Sequence, residues 1–292
     1  FNVSWSFDKN RGGNFFITQI IDITDQKKLD ILKSEFVSTV SHELRTPLTS
    51  IKGALGLLTA SMSLKLDKGQ ARLFDIASSN VDRLTDIVND ILDLEKISSG
   101  EIAFNIDDLE LNDVMETTVR EMSPFASTHD NTLRIDLPEE PLIILADPGR
   151  MKQVLANLIS NACKYSDPNS EVVIKAERID DLAIVYIQNN GSGVPESFRS
   201  SIFKPFSQAD SSDTRTKGGT GLGLNITRQI VLRHGGQIGF KSIPGETTIF
   251  WFTMPLSTNA LERIAAPTHS SVPVNASKLS VLHIEDDRDF AE

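Results

Sequence analysis

The first hundred residues carry apolar side chains in steps of three or four, which predicts a long helix from Lys27 to about Ala60. The apolar stripe of this helix comprises Leu29, Leu32, Phe36, Val40, Leu44, Leu48, Ile51, Leu55, Leu58 and Met62. After a turn at residues 64–69, the same spacing predicts a second helix that ends near residues 98–100. One face of it comprises Leu73, Ile76, Asn80, Leu84, Ile87, Ile91 and Leu94. Because two antiparallel helices bury only part of such stripes, we expect two copies of the hairpin to pair as a four-helix bundle.

Strand-like patterns lie on both sides of the helical region. Residues 2–8 and 14–23 predict the two strands of a hairpin, joined by a turn at residues 9–13. Beyond residue 100 the pattern predicts a mixed sheet covered on one face by helices. Its strands are expected at 101–107, 132–137, 142–146, 171–178, 182–189, 236–242 and 247–255, and its helices at 111–128, 148–165, 196–203 and 221–234. The predicted fold class is multidomain, an α-helical antiparallel hairpin followed by an α+β sandwich.

The same shifts in pattern divide the chain into five segments. In order, they are the end of a first domain, the helical hairpin, the sandwich, a linker rich in Ser, Thr, Ala and Pro, and a buried-type strand. Their predicted boundaries are 1–25, 26–100, 101–256, 257–278 and 279–292. The last strand ends in the acidic residues Glu285, Asp286 and Asp287.

Composition narrows the class of protein. The length of 292 residues suits about two domains. The net charge of −11 argues against a nucleic-acid surface, which needs clustered Lys and Arg. The single cysteine, Cys163, excludes an internal disulfide and suits a reducing cytosol. No apolar run approaches the ~20 residues of a membrane span, so we expect a cytoplasmic segment without membrane contact, although the full-length protein could be anchored upstream.

His42 is a candidate nucleophile on the first helix. It lies two residues past Val40, roughly 200° around the axis at ~3.6 residues per turn, so its imidazole points away from the apolar stripe. One interpretation is a surface histidine on a bundle helix. The other is a nucleophile whose neutral ring nitrogen accepts a phosphoryl group while Glu43 holds or removes the other proton. Thr46 follows one turn later on the same face, and Pro47 predicts a local kink beside the histidine.

The helix predicted at residues 148–165 carries polar residues one turn apart. Asn157 and Asn161 share a face, and Lys164 and Tyr165 lie just beyond them. Two amides and an ammonium suit Mg²⁺ through an oxygen and phosphate through a charge. The same spacing is common on an ordinary polar helix face, so the pattern alone leaves both interpretations open.

Glycine-rich segments follow in the same domain. Residues 189–193, NNGSG, come after a predicted strand, and their glycines let the backbone turn sharply and approach a flat ligand. Residues 218–224, GGTGLGL, open a helix whose amides and dipole suit anionic phosphates. Between them, the FKPF segment around Lys204 precedes a polar run rich in small residues, which is typical of a mobile lid.

These motifs resemble those of one protein family. Residues 41–48, SHELRTPL, resemble the phosphoacceptor box of sensor histidine kinases. The four segments of the sandwich resemble, in order, the N, G1, F and G2 boxes of the Bergerat-type ATP-binding fold, which these kinases share with gyrase, chaperone and mismatch-repair ATPases. The resemblance covers about residues 27–256. The junction at residues 21–25 resembles the exit of a PAS sensor domain, and residues 279–287 resemble the first strand and Mg²⁺-binding acidic end of a receiver domain.

The resemblance implies the catalytic core of a hybrid sensor histidine kinase. Such a kinase transfers a phosphoryl group from ATP, with Mg²⁺, to His42 and then passes it to a receiver aspartate. By the same resemblance, Glu43 would act as base or orienting group, and Thr46 would position water for the reverse, phosphatase reaction. The implied partners are a second copy of the chain, in a homodimer, and a receiver domain of a response regulator or of the chain's own C-terminal extension.

The resemblance also implies a set of nucleotide contacts. The matching residues are Asn157, Asn161, Lys164, Tyr165, Asn189, Gly191, Gly193, Lys204, Gly219, Thr220, Gly221, Leu222, Gly223 and Thr248. Among them, Asn161 would hold Mg²⁺, and Thr248 would help to hold the adenine through water.

The G1 box departs from the family pattern at Asn189. The family has Asp-x-Gly-x-Gly, in which the Asp accepts a hydrogen bond from the adenine amino group. Asn still accepts through its carbonyl oxygen but loses the charge-assisted part, about 1–2 kcal/mol or roughly tenfold in affinity. An alternative function is therefore a nucleotide-compromised signalling scaffold or phosphatase. A gyrase- or chaperone-like ATPase is disfavoured, because such enzymes do not need the box around His42.

Overall fold

The computed structural model describes residues 2–8, 15–22, 24–62, 67–99, 104–208 and 219–257. These residues belong to one compact unit, Phe1–Ser257. The strand expected at residues 279–292 and the linker expected after Ser257 lie outside the described residues.

A strand hairpin precedes the first helix, as predicted. Strand β1 (Asn2–Asp8) pairs antiparallel with β2 (Phe15–Ile21). The Asp22 carboxylate then accepts hydrogen bonds from the Thr24 hydroxyl (2.6 Å) and the Thr24 backbone amide (2.9 Å), and these bonds lower the pKa of Asp22. Because the first amides of a helix lack helical partners, this carboxylate stabilises the helix start.

Two long antiparallel helices form the helical hairpin. Helix α1 (Thr24–Met62) runs through Pro47, and α2 (Lys68–Ser99) ends at the predicted hinge. Helix α1 is slightly longer than the predicted range of Lys27 to about Ala60, and α2 lies where it was predicted, between the turn and the hinge.

The predicted apolar faces remain largely exposed in a single chain. Phe36 on α1 is 69% exposed, and Leu73 on α2 is 67% exposed. The apolar residues of α2 that are buried lie on a different face, at Val81, Val88, Leu92 and Ile97. The predicted face of α2 is therefore not the one buried within the chain, and large exposed apolar surfaces of this kind mark interaction sites.

The sandwich contains a five-stranded mixed sheet and a separate strand pair. In the five-stranded sheet the order is β4 (Thr132–Asp136), β6 (Glu171–Ile179), β7 (Leu182–Asn190), β9 (Thr247–Pro255) and β8 (Ile238–Ser242). The first two of these strands are parallel and the other neighbours are antiparallel. The separate antiparallel pair consists of β3 (Asp107–Glu110) and β5 (Ile143–Ala146).

Helices complete the sandwich. They are α3 (Leu111–Ser127), α4 (Pro148–Tyr165), the short α5 (Glu196–Arg199) and α6 (Gly223–Arg233). Helix α4 begins where the sequence predicts, because Asp147 accepts a hydrogen bond from the Arg150 amide (3.0 Å) and Pro148 occupies the first turn. Its buried face comprises Met151, Val154, Leu155, Leu158, Ile159, Ala162 and Cys163. This buried face leaves the polar residues of α4 on the opposite side.

Two predicted elements are placed differently in the structure. Residues 101–103 of the strand expected at 101–107 lie outside the described residues, and among residues 104–110 the strand lies at Asp107–Glu110, which pairs antiparallel with β5. The helix expected at 196–203 ends at Arg199. Beyond it the chain continues in tight turns, with amides bonding to carbonyls three residues earlier, such as Ser201 to Phe198 (3.0 Å). Such turns accommodate apolar residues spaced three or four positions apart as well as a helix does.

Candidate phosphoacceptor and nucleotide-binding sites

His42, Glu43 and Thr46 all lie exposed on α1. The preceding residue, Ser41, is buried at 4% exposure, so the helix turns the imidazole away from the packed side as predicted. The Thr46 hydroxyl lies 3.4 Å from the His42 carbonyl oxygen, and within the described part of the chain the His42 ring has no hydrogen-bond partner. The imidazole is therefore accessible to a reactant from solvent.

The polar face of α4 points towards the glycine-rich loop. The Asn157 amide lies 3.4 Å from the carbonyl oxygen of Gly223 and 3.4 Å from the hydroxyl of Thr227. Asn161, one turn later, is half-buried. The segments predicted to bind Mg²⁺ and phosphate are thus brought together across two elements that are 66 residues apart in the sequence.

Lys164 and Tyr165 end the same helix, where Lys164 is half-buried and Tyr165 is 39% exposed. Burial lowers the pKa of Lys164, while the carboxylates of Asp86 and Asp90 on α2 raise it. The ammonium lies 6.0 Å from the centre of the Phe125 ring. Burial raises the pKa of Tyr165. Lys164 therefore lies at the junction between the sandwich and the helical hairpin, near the carboxylates of α2.

Asn189 and Thr248 are direct neighbours on paired strands. They lie opposite each other in the β7–β9 register, and each is 4% exposed. The Thr248 hydroxyl is 2.8 Å from the Ser242 hydroxyl, which also accepts a hydrogen bond from the Val194 amide (2.9 Å). Among the described residues no hydrogen bond involves the Asn189 side chain, so its amide is available to a ligand.

The first glycine-rich segment depends on close backbone approach. A Cβ atom at Gly191 would lie 2.0 Å from the carbonyl oxygen of Tyr165, and Gly191 forms an isolated bridge with Ser166. Gly193 has a φ of +74°, in the left-handed region that favours glycine. The end of α4 and this segment therefore pack directly against each other.

The second glycine-rich segment opens α6. Gly221 has a φ of +72°, Leu222 is fully buried, and Gly219 accepts a hydrogen bond from Gln208 (3.0 Å). The Thr220 hydroxyl accepts a bond from the Leu222 amide (3.1 Å) and donates to the Asp90 carboxylate (2.6 Å). The loop thus contacts α2 as well as the sandwich.

Two residues of this region were missed by the sequence prediction. The buried Asn225 amide donates to the Phe203 carbonyl oxygen at 2.8 Å and ties the turn that carries the exposed Lys204 to α6. A polar residue on the buried face of a helix was the available signal for Asn225. Asp90 carried no comparable signal, because α2 contains several other acidic residues with similar spacing.

Two family models match the chain. The "His Kinase A (phospho-acceptor) domain" matches residues 32–100, and the "Histidine kinase-, DNA gyrase B-, and HSP90-like ATPase" matches residues 146–258. A phosphoacceptor helix pair followed by such an ATPase domain defines the histidine kinases. The chain belongs to this family and carries its catalytic core, which confirms the predicted helical hairpin and ATP-binding sandwich.

Curated relatives are longer kinases. The chain is 34% identical to the circadian input-output histidine kinase CikA of Synechococcus elongatus, over 87% of this chain and 34% of that protein. It is 34% identical to the sensor histidine kinase WalK of Bacillus subtilis, over 82% of this chain and 39% of that protein. It is 32% identical to the signal transduction histidine-protein kinase BarA of Escherichia coli, over 81% of this chain and 26% of that protein. The chain therefore spans about a third of the length of these relatives.

Solved structures agree with this assignment. Full-length ShkA in complex with AMPPNP matches with a TM-score of 0.64 and 29% identity, over 76% of this chain and 46% of that chain. The histidine kinase AdeS of Acinetobacter baumannii shares the fold, with a TM-score of 0.52 and 24% identity, over 74% of this chain and 98% of that chain. None of the described helices combines the length and the apolar composition that a membrane span requires.

Proposed function

We propose that this chain is the kinase core of a two-component system and phosphorylates its own His42 from ATP. One observation carries the proposal: the chain joins an exposed His42 and Glu43 to a glycine-rich loop that touches the same helical hairpin through Thr220 and Asp90. The relatives named above are histidine kinases, which gives the scaffold alternative no specific support.

The nucleotide would lie between α4, the end of β7 and the loop before α6. The buried Asn189 amide, which has no partner among the described residues, would accept a hydrogen bond from the adenine amino group. Gly191 would keep the backbone close to the base. The ammonium of Lys164 and the amides of residues 219–223 would hold the phosphates. This donor set fits a nucleoside triphosphate.

Mg²⁺ would be held by the amide oxygen of Asn161, with Asn157 beside it. The described residues contain no cluster of three or more His, Cys, Asp or Glu that could cage a metal ion. An amide ligand with few acidic neighbours suits an Mg²⁺ ion that is bound mainly by phosphate oxygens and water. When bound, the ion supplies neutralisation of the phosphate charge that develops during transfer.

The transfer breaks the bond between the γ-phosphorus and its bridging oxygen and forms a nitrogen–phosphorus bond on His42, with ADP as the leaving group. A neutral imidazole offers one unprotonated nitrogen as the nucleophile, and Glu43 would orient the ring or take the proton from the other nitrogen. Thr46 would position water in the reverse, phosphatase direction. Positioning and electrostatics supply most of the acceleration in such reactions.

The exposed apolar faces of α1 and α2 support a homodimer. Phe36 at 69% and Leu73 at 67% exposure would be covered in a four-helix bundle formed with a second copy of the chain. We propose the domain boundaries given above, with a PAS-like end at residues 1–25 and a receiver start at residues 279–292. The phosphoryl group would then pass to an aspartate of a receiver domain, as in a hybrid kinase acting in the cytoplasm.

Incubation with ATP labelled in the γ-phosphoryl group tests this function. The label should attach covalently to the chain and should be lost in acid but retained in alkali, because a nitrogen–phosphorus bond hydrolyses when the nitrogen is protonated. Steady ATP hydrolysis without covalent label would favour an ATPase instead. An acid-stable label would place the phosphoryl group on a hydroxyl and would contradict the proposal.

Asn189→Asp should tighten ATP binding by roughly tenfold, because a charged acceptor strengthens the bond to the adenine amino group. The rate at limiting ATP should rise, while the rate at saturating ATP should change little, since adenine contacts are shared by the ground and transition states. Calorimetric titration measures the affinity. The control is Asn190→Asp, which adds the same charge at the neighbouring exposed position and should change the affinity by less than about twofold. Equal or weaker binding in Asn189→Asp would show that the base is held by other contacts.

A further inference from the structure

The face of α2 that meets the sandwich carries a row of carboxylates. Asp86, Asp90 and Asp93 are spaced by four and three residues, which places them on one side of the helix. Asp93 accepts hydrogen bonds from Arg150 (3.2 Å) and Gln153 (2.8 Å), both on α4. Asp93 therefore helps to dock the helical hairpin onto the sandwich.

Asp90 contacts the glycine-rich loop itself, whereas Asp93 contacts α4. Its carboxylate accepts the Thr220 hydroxyl at 2.6 Å, and the same hydroxyl oxygen accepts the Leu222 amide at 3.1 Å. The next residue, Gly221, is in the left-handed conformation, so the contact falls at the turn of the loop. A carboxylate on α2 thus holds the hydroxyl of a loop whose amides and hydroxyl suit a phosphate.

The charge of Lys164 attracts the Asp90 carboxylate as it would attract a phosphate, while the neighbouring carboxylates of Asp86 and Asp93 repel it. Lys164, which we assign to the phosphates, is attracted by both Asp86 and Asp90. Burial raises the pKa of Asp90, and the hydrogen bond from Thr220 opposes that rise. A triphosphate in the loop would bring several negative charges close to this partly buried carboxylate, where repulsion is weakly screened.

The contact between Asp90 and Thr220 also lies at about the same level along the axis of the helical hairpin as His42. Arg45 donates to Asn89 at 2.8 Å and Lys52 pairs with Asp82 at 2.6 Å, so the two helices are antiparallel in a fixed register. In that register Asp90 lies within about 3 Å of the level of His42 along the axis, at ~1.5 Å per residue. The loop is thus held beside the helix pair that it must serve.

We propose that the carboxylate of Asp90 and the phosphates of the nucleotide compete for the glycine-rich loop. In the arrangement described here, Asp90 holds the loop on α2 in place of a phosphate. Nucleotide binding displaces Asp90 and releases the sandwich from this docking position, so that the loaded domain is free to deliver its phosphoryl group. This inference rests on the proposed nucleotide site.

Asp90→Asn tests the competition, because it keeps the side-chain shape and an oxygen acceptor but removes the charge. Calorimetric titration with ADP should give about three- to tenfold tighter binding than in the wild-type chain, as expected for removal of one partly screened like charge. The matched control is Asp82→Asn, which removes the same charge from the same helix where it pairs with Lys52. Its affinity for ADP should change by less than about twofold.

A distance measurement supplies an independent readout. Spin labels at the exposed positions of Arg83 on α2 and Glu140 on the sandwich, introduced as Arg83→Cys and Glu140→Cys, report the docking. The native Cys163 is buried, and burial raises the pKa of its thiol to about 11, so it should not take up the label. ADP should change the distance distribution of the wild-type chain, and Asp90→Asn should shift that distribution in the same direction without ADP, because a neutral amide oxygen holds the Thr220 hydroxyl more weakly than a carboxylate does.

The outcomes separate this inference from the proposed function. If the wild-type chain binds no ADP, the nucleotide site itself is wrong. If it binds ADP but Asp90→Asn binds equally or more weakly, the competition is wrong while the kinase function stands. If Asp82→Asn tightened ADP binding equally, the effect would come from net charge alone and the competition would be overturned as well. A distance between the spin labels that ADP leaves unchanged would also overturn it.

Discussion

Replacing His42 by glutamine should reduce covalent phosphoryl labelling of the chain to background. Glutamine keeps a polar, uncharged side chain at an exposed helix position but has no nucleophilic ring nitrogen. Removing a catalytic nucleophile costs on the order of 10⁶ in rate in well-studied enzymes, so no label should accumulate. ADP affinity should stay within about twofold, because the nucleotide-binding segments lie in the sandwich rather than on α1.

The control for this variant is His129→Gln. His129 is half-buried and packs against the Phe125 ring with centroids 4.4 Å apart, so its loss alters a histidine without touching the phosphoacceptor helix. Autophosphorylation with labelled ATP should remain in His129→Gln. Label that persists in His42→Gln would place the phosphoryl group elsewhere and would remove the central assignment.

Local chemistry made much of the fold predictable. Helix α4 was predicted at residues 148–165 and lies there, because its start is set by Asp147 and Pro148 and its buried face has helical spacing. The strands of the main sheet alternate buried and less buried positions, as in the pattern of β7. Signals of this kind act over a few residues and can be identified from sequence.

Elements that depend on a distant partner were placed less well. The first strand of the sandwich was predicted at 101–107, but within the described residues, which begin again at residue 104, the strand lies at 107–110 and pairs with β5. Ile106 is 49% exposed, so its apolar character did not mark a packed position. Pairing register is decided by the partner strand, which lies more than thirty residues further along the chain.

The candidate site also contains features that the sequence predicts and one contact that it does not predict. The motifs around His42, Asn161, Gly191 and Gly221 were visible in the sequence, because each consists of particular residue types within a few positions of one another. The bond between Thr220 and Asp90 joins residues that are 130 positions apart, so it depends on how the sandwich docks on the helical hairpin. No local pattern in α2 distinguishes Asp90 from its acidic neighbours.

Gly191→Ala should both destabilise the sandwich and weaken nucleotide binding. The new Cβ would lie 2.0 Å from the Tyr165 carbonyl oxygen, and because that neighbour is backbone, the segment after β7 must move. Overpacking of this kind costs about 1–3 kcal/mol, which corresponds to a fall of roughly 2–12 °C in the midpoint of thermal unfolding for a domain of this size. The same movement displaces the Asn189 amide, so ADP affinity should fall by at least about tenfold.

The matched control is Gly149→Ala, a glycine in the first turn of α4 where a Cβ would meet only the Asp147 carboxylate at an ordinary 3.4 Å. Alanine there should leave the melting midpoint unchanged or raise it, since alanine favours the helix by up to about 1 kcal/mol. Calorimetry provides both the unfolding midpoint and the ADP affinity of the two variants. If Gly191→Ala melted and bound ADP like Gly149→Ala, the close approach of Gly191 to the end of α4 would not be what shapes the nucleotide site.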